Sequence, residues 1–197
     1  MKEEIEVKFL ALSHDTIRNK LSAIGAVCQS PMRLMRRAII DYPDRRLQNG
    51  EHNAYIRVRD EGDKITLTFK QFQSLTVAGA RELETIVQSF DDTVAIFVAA
   101  GLEVTSLQES KRETWTHSDC EIVLDEWPWL LPYIEIEGPT EAAIKHVAQI
   151  LDLDWENAEF GDVMVAYRAQ YPHLKDTETI GNVPTVAFDT EPPTFLQ

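Results

Sequence analysis

Two carboxylates and an ammonium group alternate with apolar side chains close to the start of the chain. Glu4, Glu6 and Lys8 are separated by single apolar residues, and in a β-strand such alternate side chains point to the same face. Hard divalent cations prefer carboxylate oxygens, and a lysine suits an anion. The spacing therefore indicates a site for a metal ion and a multiply charged anion. A half-buried strand with a solvated outer face would show the same pattern.

The same alternation returns along the chain, and its charges segregate by strand. Arg57 and Arg59 make one strand cationic, whereas Glu135 and Glu137 make another anionic. Ordinary solvated faces tend to mix signs, because like charges repel across neighbouring strands. The segregation favours strands that converge on one site, where carboxylates hold a divalent cation and guanidinium groups hold phosphate. The alternative is a single open sheet with one wet face.

The elements that must position these residues are mostly strands. Alternation and turn signals predict strands at 4–9, 33–42, 55–59, 65–70, 81–85, 107–115, 121–126 and 133–138. Helical spacing, capping residues and terminal glycines predict helices at 13–25, 91–101, 139–151 and 162–170. Many strands with few helices indicate an α+β fold with an antiparallel sheet or barrel. The sequence contains no glycine-rich phosphate loop, nucleophile elbow or HExxH motif.

The bulk composition is that of an acidic globular protein. The chain has 197 residues and a formal net charge of −14, which is most simply one domain. The acidic balance argues against a nucleic-acid partner, but a few gathered cations can still bind phosphate. No apolar run of membrane-spanning length and no signal region occur, so we expect a cytoplasmic protein without a membrane partner. Cys28 and Cys120 show neither metal-ligand spacing nor a disulfide framework.

Taken in order, the charged elements resemble the CYTH, or triphosphate tunnel metalloenzyme, superfamily. Glu4-x-Glu6-x-Lys8 matches its ExExK signature. Over about residues 1 to 170 the later matches are Arg57-x-Arg59, Lys70, Glu82-x-Glu84, Lys111-Arg112, Leu124-Asp125 and Glu135-x-Glu137-Gly138. The resemblance implies an eight-stranded antiparallel β-barrel with a charged tunnel inside and helices packed on the outside. Residues 1–172 would form this domain, and 173–197 a tail that is either disordered or a strap across one barrel end.

The resemblance also implies roles for the matching residues. The metal-facing carboxylates would be Glu4, Glu6, Asp125, Glu135 and Glu137, with Mg²⁺ or Mn²⁺ as the cofactor. The phosphate-facing cations would be Lys8, Arg57, Arg59, Lys70 and Arg112. Lys8 would also serve catalysis together with Glu82 and Glu84, which would hold a second metal ion or orient water.

One position departs from the family pattern. Many members have a lysine two residues before the arginine that Arg112 matches, and Ser110 stands there in this chain. Lys111 is out of phase with Arg112 unless a bulge rotates the strand, so Arg112 is the expected phosphate contact and Lys111 a secondary one. Arg37, on the basic second strand, is a further candidate phosphate contact, although a solvated face would explain it equally well.

Aromatic and histidine residues receive mostly structural interpretations. Trp127 and Trp129 are expected to form a hydrophobic lid over the barrel, with nucleobase stacking as the alternative, and Tyr167 is expected to pack in the core or at the tunnel end. No histidine is expected to act in catalysis (His14, His52, His117, His146 and His173).

These roles imply a metal-dependent hydrolase that converts a triphosphate into a diphosphate and phosphate. Tripolyphosphate ranks first because no base- or thiamine-binding pocket stands out, while thiamine triphosphate and nucleoside triphosphates stay open. The same tunnel would serve a class IV adenylate cyclase, in which a ribose hydroxyl attacks the α-phosphate. A non-catalytic polyphosphate-binding module is a third reading, although all five metal carboxylates are present. A monomer and a homodimer are both compatible with the sequence.

Overall fold

A computed structural model of the protein describes residues 1–51, 53–72, 74 and 76–197. Its strands are β1 (Lys2–Glu4), β2 (Glu6–Phe9), β3 (Val27–Asp41), β4 (Ala54–Asp60), β5 (Ile65–Phe72), β6 (Ala80–Val87), β7 (Glu103–His117), β8 (Cys120–Glu126), β9 (Tyr133–Glu137) and β10 (Thr185–Val186). Its α-helices are α1 (His14–Ala23), α2 (Phe90–Ala99), α3 (Glu141–Ile150) and α4 (Met164–Gln170).

The first nine strands form one antiparallel sheet in the order β1-β6-β5-β4-β3-β7-β8-β9-β2. The two ends of this order, β1 and β2, are separated in the chain by Ile5 alone. The N-terminal segment therefore pairs with β6 through residues 2–4 and with β9 through residues 6–9. This shared segment brings the two ends of the sheet together around an interior, which confirms the α+β antiparallel fold class.

The strand count needs a refinement. With β1 and β2 taken as one interrupted strand, the antiparallel sheet has the eight strands that the family resemblance implies. The ladder is not continuous, because the segment changes partner at Ile5. The short β10 lies off this strand order and pairs in parallel with β7, which was not predicted.

The long strands β3 and β7 extend beyond their predicted bounds. Each has 15 residues, and they pair with each other along most of their length. The residues before Arg33 include Pro31 and show little alternation of polar and apolar side chains. In the structure, the β3–β7 register shifts twice between Cys28 and Arg33. Such irregular pairing breaks the period of two on which the prediction depended.

Local capping chemistry sets the helix starts. Ser13 caps α1 and accepts the Thr16 amide, and Thr140 caps α3 and accepts the Ala143 amide. Helix α2 is capped by Ser89 and not by the predicted Asp91 or Asp92. The two aspartates lie in the first turn instead, where they interact favourably with the positive end of the helix dipole.

The hydrophobic core lies outside the curled sheet. The largest cluster joins the outward side chains of β2, β8 and β9, such as Val7 and Ile136, to Ile17 of α1 and Ile144 and Val147 of α3. A second cluster packs α2 against Ala38 and Val58. Because the apolar faces are buried against helices, the polar faces of the strands turn inward and line an interior space.

The C-terminal residues pack across one end of the sheet. Ile180, Val186 and Leu196 are buried in a cluster with Trp127 and Tyr167. The side chain of Ser106 donates a hydrogen bond to the Val183 carbonyl oxygen at 2.6 Å. These contacts pack the segment, called the strap below, against the sheet. Within the described residues, no helix is long and apolar enough to cross a membrane.

Candidate functional site

The inward faces of the strands line a cavity of 1120 Å³. All predicted site residues except Lys111 border it. They are Glu4, Glu6, Lys8, Arg37, Arg57, Arg59, Lys70, Glu82, Glu84, Arg112, Asp125, Glu135 and Glu137. Since these residues come from nine strands, β1 to β9, the curled sheet gathers charges that are far apart in sequence.

Lys8 lies between two carboxylates on the wall formed by β2 and β9, which is called the carboxylate-rich wall below. Its Nζ lies 3.0 Å from Glu6 Oε1 and 3.2 Å from Glu135 Oε1, and it donates to the Gly161 carbonyl oxygen at 2.7 Å. Burial alone would lower the pKa of Lys8, but Glu135 and Glu6 raise it well above its ordinary value. Burial would likewise raise the pKa of Glu135, but Lys8 and Arg112 hold it far below its usual range. Both side chains are therefore charged.

Arg112 ties together two of the predicted metal-facing carboxylates. Its Nε donates to Asp125 Oδ1 at 2.7 Å, and its Nη2 lies 2.5 Å from Asp125 Oδ2 and 2.9 Å from Glu135 Oε2. The Tyr133 hydroxyl donates to the same aspartate at 3.3 Å. Burial and the charge of Asp125 raise the pKa of Tyr133, so the phenol stays protonated and acts as a donor.

A second pairing joins the ends of the sheet. Lys70 forms an ion pair with Glu4 and lies 3.7 Å from Glu6 Oε1. Burial and the neighbouring Glu4 raise the pKa of Glu82 to about 7, because two carboxylates in one place oppose double ionisation. The Glu84 carboxylate accepts a hydrogen bond from the Thr68 hydroxyl at 2.8 Å and lies 3.6 Å from Arg57 Nη2.

The cavity wall formed by β3 and β4, opposite the carboxylate-rich wall, carries surplus positive charge. Arg37 and Arg59 face each other in the β3–β4 register, and Arg57 lies two residues along the same strand. Burial and the charges of Arg59 and Arg57 push the pKa of Arg37 down from its ordinary value. Guanidinium groups remain charged in proteins, so Arg37 is a buried charge next to like charges, an arrangement that a bound anion would stabilise.

Arg37 is held by neutral groups. Its Nη2 donates to Ser110 Oγ at 2.7 Å, and its guanidinium lies 4.4 Å from the centre of the Trp127 ring. In the described part of the chain, its Nε has no hydrogen-bond partner, and the charge of Asp125 partly offsets the repulsion from the neighbouring arginines. Ser110, where many family members have a lysine, thus orients an arginine from the neighbouring strand.

The structure does not bring Lys111 into the cavity. The β3–β7 register runs without a shift through Arg33–Arg112, Leu34–Lys111 and Met35–Ser110. Without a bulge, alternation turns Lys111 outward, where its Nζ lies 3.6 Å from Glu126 and 4.5 Å from the centre of the Phe188 ring. Its assignment as a secondary phosphate contact is corrected accordingly.

Hydrogen bonds to backbone carbonyl oxygens hold two of the aromatic residues. Trp129 Nε1 donates to the Thr190 carbonyl oxygen at 2.8 Å, and the Tyr167 hydroxyl donates to the Pro128 carbonyl oxygen at 2.7 Å. Trp127 borders the cavity through its contact with Arg37. His14, His117, His146 and His173 are not among the lining residues, and His52 lies outside the described residues.

Sequence reasoning missed several charged residues of the cavity lining, among them Glu61 and Asp162. Glu61 is buried at the end of the β4 row, and its period-two spacing from Arg57 and Arg59 was a signal that its turn position obscured. Asp162 borders the cavity before α4, where its Oδ1 accepts the Met164 amide at 3.0 Å. Burial raises the pKa of Asp162. No periodic pattern could have identified it.

The carboxylates fit a divalent cation by chemistry and by register. Glu6 faces Glu137 directly in the β2–β9 pair, and Glu137 faces Glu121 directly in the β8–β9 pair. Like charges in such positions repel, and a cation between them relieves the repulsion. Among the described residues, no three His, Cys, Asp or Glu side chains are already gathered around one point. Instead, lysine and arginine pair with Glu4, Glu6, Asp125 and Glu135.

The fold and the site together define a class of protein, in which a curled antiparallel sheet surrounds a charged cavity and turns its apolar faces outward. The CYTH domain model matches residues 2–158. The chain belongs to the CYTH domain family.

Solved structures with the same fold cover most of this chain. Protein PH1012 from Pyrococcus horikoshii OT3 has 22% identity and a TM-score of 0.68 over 83% of this chain and 98% of its own. A candidate adenylate cyclase from Vibrio parahaemolyticus has 16% identity and a TM-score of 0.70 over 84% and 97%. The candidate adenylyl cyclase HpAC1 from Hippeastrum, described with a dominant triphosphatase activity, has 14% identity and a TM-score of 0.57 over 85% and 96%. A search of curated proteins gave no match.

Proposed function

We propose that the protein is a divalent-metal-dependent hydrolase of triphosphates, with inorganic tripolyphosphate as its first-ranked substrate. The observation that carries the proposal is the set of Arg37, Arg57 and Arg59 on one cavity wall. Arg37 is buried and contacts the neutral side chains of Ser110 and Trp127. Guanidinium groups that repel one another in a buried place favour a ligand with several negative charges, and arginine suits phosphate geometry.

The facing wall supplies the oxygen ligands. Glu4, Glu6, Glu135 and Glu137 on β1, β2 and β9 would hold Mg²⁺ or Mn²⁺, with Asp125 on β8 beside them. When bound, such a cation neutralises phosphate oxygens and lowers the pKa of coordinated water. Lys8, Lys70 and Arg112 border the same cavity and already pair with these carboxylates. They are placed to contact phosphate as well.

The side chains of β6 are suited to hold the attacking water. Glu84 is fixed by the Thr68 hydroxyl and Arg57, and Glu82 faces Lys70 in the β5–β6 register. In hydrolysis, the water oxygen bonds to the terminal phosphorus while the bridging P–O bond breaks and diphosphate leaves. The guanidinium wall stabilises the charge that spreads over the phosphate oxygens during this transfer. The triphosphatase activity described for HpAC1, which has the same fold, supports this reaction.

A second candidate, adenylate cyclisation of ATP, is favoured by the size of the cavity. Its 1120 Å³ exceeds the volume of pockets that hold drug-sized ligands, about 300–1,000 Å³. One part of its lining is neutral and rich in hydrogen-bonding groups, with Gln48, Asn49, Asn53, Tyr55 and Asn182. A ribose 3′-hydroxyl would then replace water as the attacking group and release pyrophosphate.

The test is a panel of tripolyphosphate, thiamine triphosphate and ATP, each with Mg²⁺ and with Mn²⁺. Phosphate, pyrophosphate and cyclic AMP are measured in parallel. The proposal predicts phosphate and diphosphate from tripolyphosphate, with little cyclic AMP from ATP. Cyclic AMP with an equal amount of pyrophosphate would establish the cyclase instead. Tight binding of tripolyphosphate without any product would indicate a binding module.

A further inference from the structure

Glu61 lies at one end of the inward row of β4. Tyr55, Arg57, Arg59 and Glu61 follow at every second position, and all four border the cavity. The row thus runs from an aromatic ring through two cations to a carboxylate. Only 3% of Glu61 is exposed, so this negative charge belongs to the interior and not to the solvated hairpin turn.

Three cations converge on the Glu61 carboxylate. Its Oε1 accepts hydrogen bonds from Arg59 Nε at 2.9 Å and Nη2 at 2.6 Å. Its Oε2 lies 3.3 Å from Arg33 Nη2 and 3.8 Å from Lys64 Nζ. Arg33 Nε also donates to the Glu61 carbonyl oxygen at 3.1 Å. Cations arranged around one anion are what the end group of a phosphate chain requires, and here a side chain occupies that place.

Glu61 carries its charge at neutral pH. Burial would raise its pKa, but Arg59 and Lys64 lower it below the ordinary value. A phosphate chain bound along Arg57 and Arg59 therefore meets a fixed negative charge when it extends toward Arg33. Like charges brought together in a partly desolvated place disfavour binding strongly.

We propose that Glu61 ends the phosphate-binding row and selects triphosphates against longer phosphate chains. The inference rests on the proposed function, because it assumes that phosphate binds along β4. In this arrangement the triphosphate lies beside Arg57, Arg59 and Arg37. A fourth would have to displace the Glu61 carboxylate from Arg33 and Lys64.

A purely structural role for Glu61 gives a different expectation. The Glu61 amide donates to the Lys64 carbonyl oxygen at 2.9 Å, and its carboxylate could serve only to hold this turn. Loss of such a role would weaken the binding of all phosphate chains alike. The ratio of tetraphosphate to tripolyphosphate affinity would not change, so this ratio is the readout that separates the two roles.

The experiment compares Glu61→Gln with the unmodified protein by isothermal titration calorimetry in EDTA. The probes are tripolyphosphate and linear inorganic tetraphosphate. The kcat/KM of each probe is then measured with Mg²⁺, and the two values are compared. The matched control is Asp60→Asn, which removes one charge from the same hairpin. Asp60 is not a lining residue and pairs with Arg36. We expect the tetraphosphate-to-tripolyphosphate affinity ratio to rise about tenfold in Glu61→Gln and to stay unchanged in Asp60→Asn.

An unchanged tetraphosphate-to-tripolyphosphate affinity ratio in Glu61→Gln, or an equal rise in Asp60→Asn, would overturn the inference. The proposed function would still hold in that case if the unmodified protein binds and hydrolyses tripolyphosphate. If the unmodified protein neither binds nor hydrolyses tripolyphosphate, the proposed function itself fails before any variant is compared. Glu61→Ser, whose hydroxyl suits a turn, replaces Glu61→Gln if the latter does not fold. The same rise is expected for it.

Discussion

Lys8 and Glu135 face each other directly in the β2–β9 register, and their charged atoms lie 3.2 Å apart. The pair joins the N-terminal segment, where the two ends of the sheet meet, to the strand that carries two predicted metal-facing carboxylates. Lys8 is 2% exposed. One contact therefore holds the N-terminal segment against β9 inside the cavity, so stability and the proposed site share this ion pair.

Removal of the lysine should destabilise the protein. Lys8→Met leaves Glu135 and Glu6 in the interior without their shared cation, and breaking a buried ion pair in this way costs about 3–5 kcal/mol. Urea unfolding followed by circular dichroism measures the change. The control is Lys111→Met, which removes a half-exposed lysine on the outer face and should cost less than about 1 kcal/mol. Equal losses in both variants would show that the Lys8 pair has no special role.

The neighbouring residues Lys111 and Arg112 should differ sharply in their effect on turnover. Arg112 contacts Asp125 and Glu135 inside the cavity, whereas Lys111 contacts Glu126 and Phe188 outside it. Arg112→Gln should lower kcat/KM for tripolyphosphate about 10²- to 10³-fold, because it removes a donor that stabilises transferred charge. Lys111→Gln should stay within about twofold of the unmodified protein. The orientation of β7 is incorrect if the two effects are reversed.

Arg37 should lower the stability of the protein and strengthen its binding of tripolyphosphate. Its buried guanidinium repels Arg59 and Arg57, so Arg37→Met should raise the free energy of unfolding by about 1 kcal/mol without phosphate. The same variant should bind tripolyphosphate about tenfold more weakly, since a charge-assisted hydrogen bond to phosphate is lost. Calorimetry and urea unfolding measure the two quantities, with the exposed Arg36→Met as the control. Tripolyphosphate affinity equal to that of the unmodified protein would place Arg37 outside the binding site.

Acid should weaken the contact between α1 and β7 on the outside of the sheet. Burial would raise the pKa of Glu113, but hydrogen bonds from Arg18 and Trp115 lower it below 4.5. A depressed folded-state pKa contributes stability that is complete above the unfolded value and disappears as the pH falls through the folded one. Urea unfolding from about pH 7 to about pH 3 should therefore show a smaller acid-induced loss in Glu113→Gln. Identical pH profiles would refute the assignment.

The features that could be predicted from the sequence are those that depend on the alternation of polar and apolar side chains along a strand. Arg57, Arg59 and Lys70 line the cavity because short, regular strands keep a strict period of two. The outward orientation of the apolar strand faces followed from the family resemblance and not from alternation, and the helix signals located α1 and α3 to within a few residues.

Other features depend on relations that alternation does not encode. The change of partner at Ile5 depends on pairing with the distant strands β6 and β9, and the packing of the strap depends on contacts such as Ser106 with Val183 across 77 positions. Glu61 was hidden because its residue type suits a turn as well as a strand end. Its role depends on Arg33, whose position follows from the irregular pairing of β3 with β7.

The central claim is that the carboxylate wall serves metal-dependent cleavage of a triphosphate. Its most direct test is phosphate release from tripolyphosphate with Mg²⁺, with and without excess EDTA, by the unmodified protein, Glu6→Gln and Glu135→Gln. Glu126→Gln, on the outer face of β8 and paired with Lys111, is the matched control. The account predicts turnover that EDTA abolishes and that falls at least about 100-fold in both cavity variants, with tripolyphosphate binding partly retained. Undiminished turnover in both Glu6→Gln and Glu135→Gln would contradict it.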